Sequence, residues 1–316
     1  MGGGKVFNRG LSIFFLPGGK IGVALFFMIT GYFSISKDKI QTKNIVLETL
    51  FYSICLSSFG VILGVDSASK AFIKSPLAII NGDYWFVSSY LFLALCIPKL
   101  NQYFNSLSIK RKCIFVGIVY CFFYFLPYIF ASKYYDLVRG LFFYLMGGLL
   151  KLFVKSTKGN ILIYRLKKNR IIFLIGFLTV WLIDATIKFI YYEYDVCDIE
   201  GLVIDRIVHN GILIPAAAVL LFVFTILTDK YENSVINCIA STTFGVYLIH
   251  DSSLRYFIWN GIFNVNLQYM SDWFPILSIG TGIMVFLTAA LLDLLRIKVL
   301  RRVHLKKHFD CIDLTK

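Results

Sequence analysis

The stretch Gly19 to Ser36, GKIGVALFFMITGYFSIS, is an apolar run with one charge, Lys20, at its outer end. At about 18 residues it is near the shortest length that spans a bilayer's hydrocarbon core. The chain repeats this pattern eight more times. Hydrocarbon gives backbone groups no outside partner, and runs of this length are too long for barrel strands, so they must be helices. The expected fold class is all-α, a polytopic transmembrane helix bundle of about nine spans. They are placed at 19–36, 44–64, 84–98, 113–131, 137–154, 171–190, 209–228, 237–257 and 274–295. Residues 1–18, Gly-rich and punctuated by Pro17, read as a loop or half-helix leading into the first span. The whole chain, 1–316, reads as one integral membrane domain, with 296–316 as a basic cytoplasmic tail.

The net charge of +14 would suit a nucleic-acid partner if it were gathered on one soluble face. Here the basic residues lie in short loops between apolar runs, so no nucleic acid is implied and the charge reports topology. Of the 32 Lys and Arg, 22 fall on one side, among them Lys37, Lys39, Lys43, Lys110 to Lys112 and the cluster from Arg296 onward, and 10 on the other. The richer side is assigned to the cytoplasm, which puts the C-terminus inside a bacterial cytoplasmic membrane. Nine spans then place the N-terminus outside, although MGGGKVFNRG has no signal to send it there. The expectation is that a preceding helix is missing. The tail RIKVLRRVHLKKHF reads as an amphipathic segment on the anionic inner leaflet, with His304 and His308 solvated.

The seven cysteines form no CxxC pair and no Cys/His ligand spacing, so neither a metal nor a disulfide framework is implied. Chemistry has to be sought among polar groups within the spans, where they are costly to hold. In CIASTTFGVYLIHDSSLRYFIWN, helical spacing puts Thr243, Tyr247, His250 and Ser253 on one face. His250 has the pKa range of a general base near neutral pH, and equally could donate one structural hydrogen bond. Asp251 and Arg255 are spaced for a local ion pair. In NGDYWFVSSYLFLALCIPKLN, Asp83, Tyr84 and Trp85 stand at the outer boundary, with Ser88, Ser89 and Tyr90 just within. Rings beside a carboxylate suit an interfacial anchor; they also suit a sugar, whose faces are apolar and whose hydroxyls need acceptors. The lysines of SKDKIQTKN could hold an anionic cofactor's phosphates, although positive-inside topology accounts for them as well. Arg139, His209 and Asp184 are further polar candidates without a named partner.

GKIGVALFFMITGYF, DYWFVSSYLFLALCIPKLN and STTFGVYLIHDSSLRYFIW, in this order and at these separations, resemble the integral membrane acyltransferase 3 family of bacteria. The similarity is closest to members that O-acetylate surface or exported polysaccharides. The resemblance implies a ten-helix fold with both ends cytoplasmic, and transfer of acetyl from acetyl-CoA to a sugar hydroxyl at or beyond the outer face. It implies that Gly31, Tyr32 and Phe33 form the family's small-residue signature and that Lys39 and Lys43 stand loosely where the family has a basic cofactor-binding cluster. Asp83, Tyr84, Trp85, Tyr90, Tyr247 and Arg255 would meet the acceptor, and His250 closes the FG-x-YL-x-H pattern as a supporting residue. The family's first helix carries a basic residue followed eleven positions later by a histidine. Here the first histidine is His209, and Arg9 is followed at that spacing by Lys20, which again suggests a lost first helix. The expected partners are acyl-CoA, a carbohydrate acceptor and the lipid bilayer, with no metal. The competing expectations are a transporter or flippase of polysaccharide intermediates and a catalytically inactive remnant.

Overall fold

The computed structural model describes residues 3–126, 135–193, 208 and 211–302. Among them every regular element is helical: α1 Gly3–Ser34, α2 Lys43–Ile62, α3 Ala78–Asn81, α4 Trp85–Ser106, α5 Ile109–Tyr120, α6 Tyr135–Lys155, α7 Thr157–Lys167, α8 Ile171–Glu193, α9 Ile214–Leu227, α10 Ser234–His250, α11 Val265–Tyr269 and α12 Phe274–Arg302. Four stretches are long and apolar enough to cross a bilayer: Val6–Ser34, Lys43–Ile62, Ile171–Glu193 and Phe274–Val299. A fifth is the bent pair Lys70–Asn81 and Trp85–Ser106, which turns by 51° at Gly82, where φ is +76°. A polytopic helical membrane protein is therefore the correct class.

Several boundaries differ from the sequence expectation. Residues 3–18 are not a loop, because α1 runs unbroken through Pro17. A proline removes one helical hydrogen bond and displaces nearby carbonyls, but a neighbouring helix can supply a donor. Trp181 on α8 does so, its Nε1 donating to the Phe14 carbonyl at 2.8 Å. Residues 70–81, expected as loop, are helical, and the helix expected at 84–98 continues through Pro98 to Ser106. The helix expected at 237–257 ends at His250. Arg296, expected at the start of a surface tail, is buried within α12. His209, His304 and His308, the acidic segment 194–205 and the tail beyond 302 lie outside the described residues.

As far as it is described, the chain divides into two compact units, one of Arg9–Ile40 and Ser89–Lys230, the other of Met1–Asn8, Gln41–Ser88 and Tyr231–Lys316. In the first, small residues let α1 and α6 touch backbone to backbone. A Cβ at Gly31 would fall on the Tyr144 carbonyl oxygen, and one at Gly147 on that of Met28. In lipid, where the hydrophobic effect does not press helices together, such close approach is the main source of helix association. The end of α1 needs partners for its free carbonyls. Asn101 on α4 donates to Ser34 and Lys37 at 2.8 and 2.7 Å, and Asn105 to Ile35 at 2.8 Å. Tyr144 orients Asn101 through a 2.9 Å hydrogen bond to its side-chain oxygen. Asp184, which had no evident partner in the sequence, pairs with Lys188 one turn along α8 at 2.6 Å, both side chains being buried. At the exposed Asp229, hydrogen bonds from Lys167 and then Arg170 hold the carboxyl below its ordinary range.

In the second unit an ionic cluster joins α2, α10 and α12. The Arg296 guanidinium donates to Glu48 at 2.8 Å and to Asp293 at 2.7 Å, Tyr52 donates to the same Asp293 oxygen at 2.6 Å, and the guanidinium lies over the Tyr52 ring. Gly245 on α10 leaves room for the Asp293 carboxylate, which a Cβ there would strike. All three charged groups are buried. Charges cost far more in this setting than at a surface unless paired and hydrogen-bonded.

Gly31→Ala is expected to lower the melting temperature of the detergent-solubilised protein sharply or abolish its folded yield. Gly22→Ala, with open space around the added Cβ, gains about 0.5–1 kcal/mol of helix propensity and leaves melting unchanged or raised; an equal effect of the two would refute the close crossing. Arg296→Met, which strands two buried carboxylates, is expected to cost about 3–5 kcal/mol in denaturant unfolding. Replacing Glu48, Asp293 and Arg296 together by apolar residues should recover most of it.

Candidate functional site

Within the second unit, α2, the 70–81 stretch, the start of α4 and the turn after α10 surround a cavity of about 270 Å³. Asp83, Tyr84, Trp85 and Arg255, picked out on sequence grounds, all line it, together with Lys70, Tyr256 and five serines.

Gly82, with its positive φ, lets the chain turn between α3 and α4, so Asp83 emerges exposed at the rim while Tyr84 turns inward. Tyr84 is buried, and its hydroxyl donates to the Leu248 carbonyl of α10 at 3.3 Å. That contact fixes the ring against Tyr247, at 6.2 Å between centroids. Trp85 is 41% exposed and the exposed Tyr256 ring carries the Arg255 guanidinium over it, so both rings stand at the opening.

The basic side chains are held by acids one turn earlier. Lys70 pairs with Asp66 at 2.7 Å, and Arg255 with Asp251 at 2.9 Å. The Asp66 carboxylate is 3% exposed and packs against Gly60, where a Cβ would come within 2.7 Å of it. Wider π-type helical turns, at Lys70–Lys74 and Phe257–Ile262, begin at or just beyond these basic residues. Such turns store strain and recur at functional sites. Ser53 donates to the Ser75 carbonyl at 2.9 Å and Ser75 to the Lys70 carbonyl at 3.0 Å, which ties α2 to the 70–81 stretch. Ser57 meets Ser253 at 3.4 Å.

His250 is the last residue of α10, half-buried, one position before the lining residue Asp251. Its Nδ1 lies 2.8 Å from the Val246 carbonyl. A carbonyl only accepts, so Nδ1 is the donor in this contact, and in the neutral ring Nε2 is the basic nitrogen. Tyr247 stands behind the cavity wall, between Phe86 at 5.4 Å and the His250 ring at 6.1 Å. Ser253 lies beyond the end of α10, so it does not extend the face of Thr243, Tyr247 and His250, yet the turn returns it to the cavity.

The structure separates the remaining candidates. Tyr90 belongs to the other unit and is buried against Phe26 and Phe27, at 5.4 and 6.3 Å, where it serves as packing. Lys39 and Lys43 are exposed, one in the connection before α2 and one at its first residue. Sequence reasoning missed Lys70, Asp66 and Tyr256. The available signal was the repeated spacing of an acid four residues before a base, at Asp66/Lys70 and again at Asp251/Arg255, both in segments that the charge count places outside. Among the described residues no group of His, Cys, Asp and Glu could hold a metal ion.

A helical membrane protein with a polar, aromatic-walled cavity at one end of its helices is the class that fold and site define. A family model described as an acyltransferase domain, that of the acyltransferase 3 family, matches residues 3–293, and the chain belongs to that family. It is a membrane acyltransferase. No curated protein and no solved structure matches the chain.

Proposed function

We propose that the protein moves an acetyl group from acetyl-CoA to a hydroxyl of a cell-surface or exported carbohydrate, and that the cavity holds the acceptor. The observation that carries this reading is the meeting of Trp85, Tyr84 and Tyr256 with the Asp83 carboxylate around a single opening, beside His250, whose Nδ1 meets the Val246 carbonyl. Aromatic faces take the apolar sides of a sugar ring, and the carboxylate and serine oxygens accept from its hydroxyls.

In the reaction the acceptor hydroxyl oxygen attacks the acyl carbonyl, either of the thioester itself or of an acyl-enzyme formed from it. A new C–O bond forms, the bond from the acyl carbon to CoA sulfur or to the enzyme nucleophile breaks, and the hydroxyl proton passes through a base to the group that leaves. His250 acts as a supporting base on the acceptor side, with Nε2 taking the proton while the Val246 carbonyl keeps the ring oriented. The exposed ammonium groups of Lys39 and Lys43 favour the phosphates of the donor. The protein is proposed to sit in the bacterial cytoplasmic membrane with its C-terminus inside.

Purified protein given radiolabelled acetyl-CoA and an acceptor polysaccharide should release CoA thiol and label the polysaccharide in equal amounts. Movement of a glycan across proteoliposomes without thiol release would support a transporter and sink this reading. Trp85→Ala is expected to raise the acceptor KM by about 3- to 10-fold with the acetyl-CoA KM unchanged. His250→Asn should lower kcat by about tenfold or more, short of the 10²–10⁴ of a principal base.

A further inference from the structure

We infer that Asp83 makes this cavity selective by charge, admitting an uncharged or amine-bearing sugar ring and turning away one that carries a carboxylate. The inference rests on the reading of the cavity as the acceptor site. Four charged residues line it, Lys70, Asp83, Asp251 and Arg255, which would suit either sign of ligand if all were equally available. They are not. Lys70 is committed to Asp66, whose side chain is 3% exposed, and Arg255 to Asp251, whose side chain is 16% exposed. An anion that drew Lys70 away would leave the buried Asp66 carboxylate unpaired, a penalty larger than a half-exposed ion pair returns, and one that drew Arg255 away would have to break its 2.9 Å bond to the largely covered Asp251. Asp83 is exposed and takes part in no ion pair among the described residues, so its charge faces the opening uncompensated.

Two of the serines point the same way independently. The hydroxyl protons of Ser53 and Ser75 are given to backbone carbonyls. What Ser53 and Ser75 offer a ligand is lone pairs. The lining is rich in acceptors, suited to sugar hydroxyls and to an ammonium group and poorly suited to a second carboxylate.

The test follows binding by intrinsic fluorescence of the purified full-length protein at low salt, since Trp85 is one of only four tryptophans; Trp85→Phe identifies its share of the signal. Methyl glucoside, methyl glucosaminide and methyl glucuronide are titrated in parallel. The glucosaminide should bind most tightly, and the glucuronide at least about tenfold more weakly than the glucoside. Asp83→Asn, an isosteric change at an exposed position, should bring the three within about threefold of one another, and Asp83→Lys should reverse their order. Equal binding of glucoside and glucuronide by the unaltered protein, or an unchanged ranking in both variants, overturns the charge inference and leaves the acceptor-site reading standing. No saturable signal with any of the three overturns both.

Discussion

Hydrocarbon offers no hydrogen-bond partner, so every polar group carried into the bilayer must find one inside the protein. Most features of this molecule follow from that demand. The backbone meets it by being helical throughout the described residues. Where a helix ends, a neighbour completes it, as Asn101 and Asn105 do at the end of α1, and near Pro17 Trp181 donates to the Phe14 carbonyl. Charged side chains meet it by pairing, whether within one helix at Asp184 and Lys188 or among three residues at Glu48, Asp293 and Arg296.

The same demand gives α2 two polar levels with different purposes. Glu48 and Tyr52 turn toward Asp293 and Arg296, a closed cluster in which the cation is shared by two carboxylates. Ser53 and Ser57 face the cavity at the other end. That cluster is buried and its charges are paired with one another. A cavity whose cations are already paired but whose acceptors are open is a place for a ligand that brings its own donors. This contrast separates the structural charges from those available to chemistry.

Much of the fold was legible in the apolar runs, because their length and composition alone demand helices in a membrane. Their ends were less legible. Proline and glycine stop helices in water, where a lost hydrogen bond goes to solvent, and this made residues 1–18 look like a loop. Within the protein the helix continues through Pro17, and Trp181 donates to the neighbouring Phe14 carbonyl. The end of α10 was misplaced in the opposite sense, because the residues after His250 remain apolar enough to look helical while the chain turns to form the cavity wall. Asp83, Tyr84 and Trp85 were singled out from chemistry and boundary position and Arg255 from the resemblance, and the four line one cavity. Tyr90, only five residues beyond Trp85, has its ring packed against Phe26 and Phe27, which no local pattern reveals.

The sequence by itself determined that this chain is a helical membrane protein and which motifs mark an acyltransferase of the acyltransferase 3 family. These are properties of composition, run length and order along the chain, and they do not depend on which helices touch. Only the tertiary structure decided which polar residues are partners and which are free. The Asp251 and Arg255 pair was legible from its spacing, whereas the pairing of Lys70 with Asp66 came from the structure. Asp66 and Asp251 take up the two cations, and Asp83 is left as the charge that faces the opening, because the energy of a buried charge is set by what lies within a few ångströms of it.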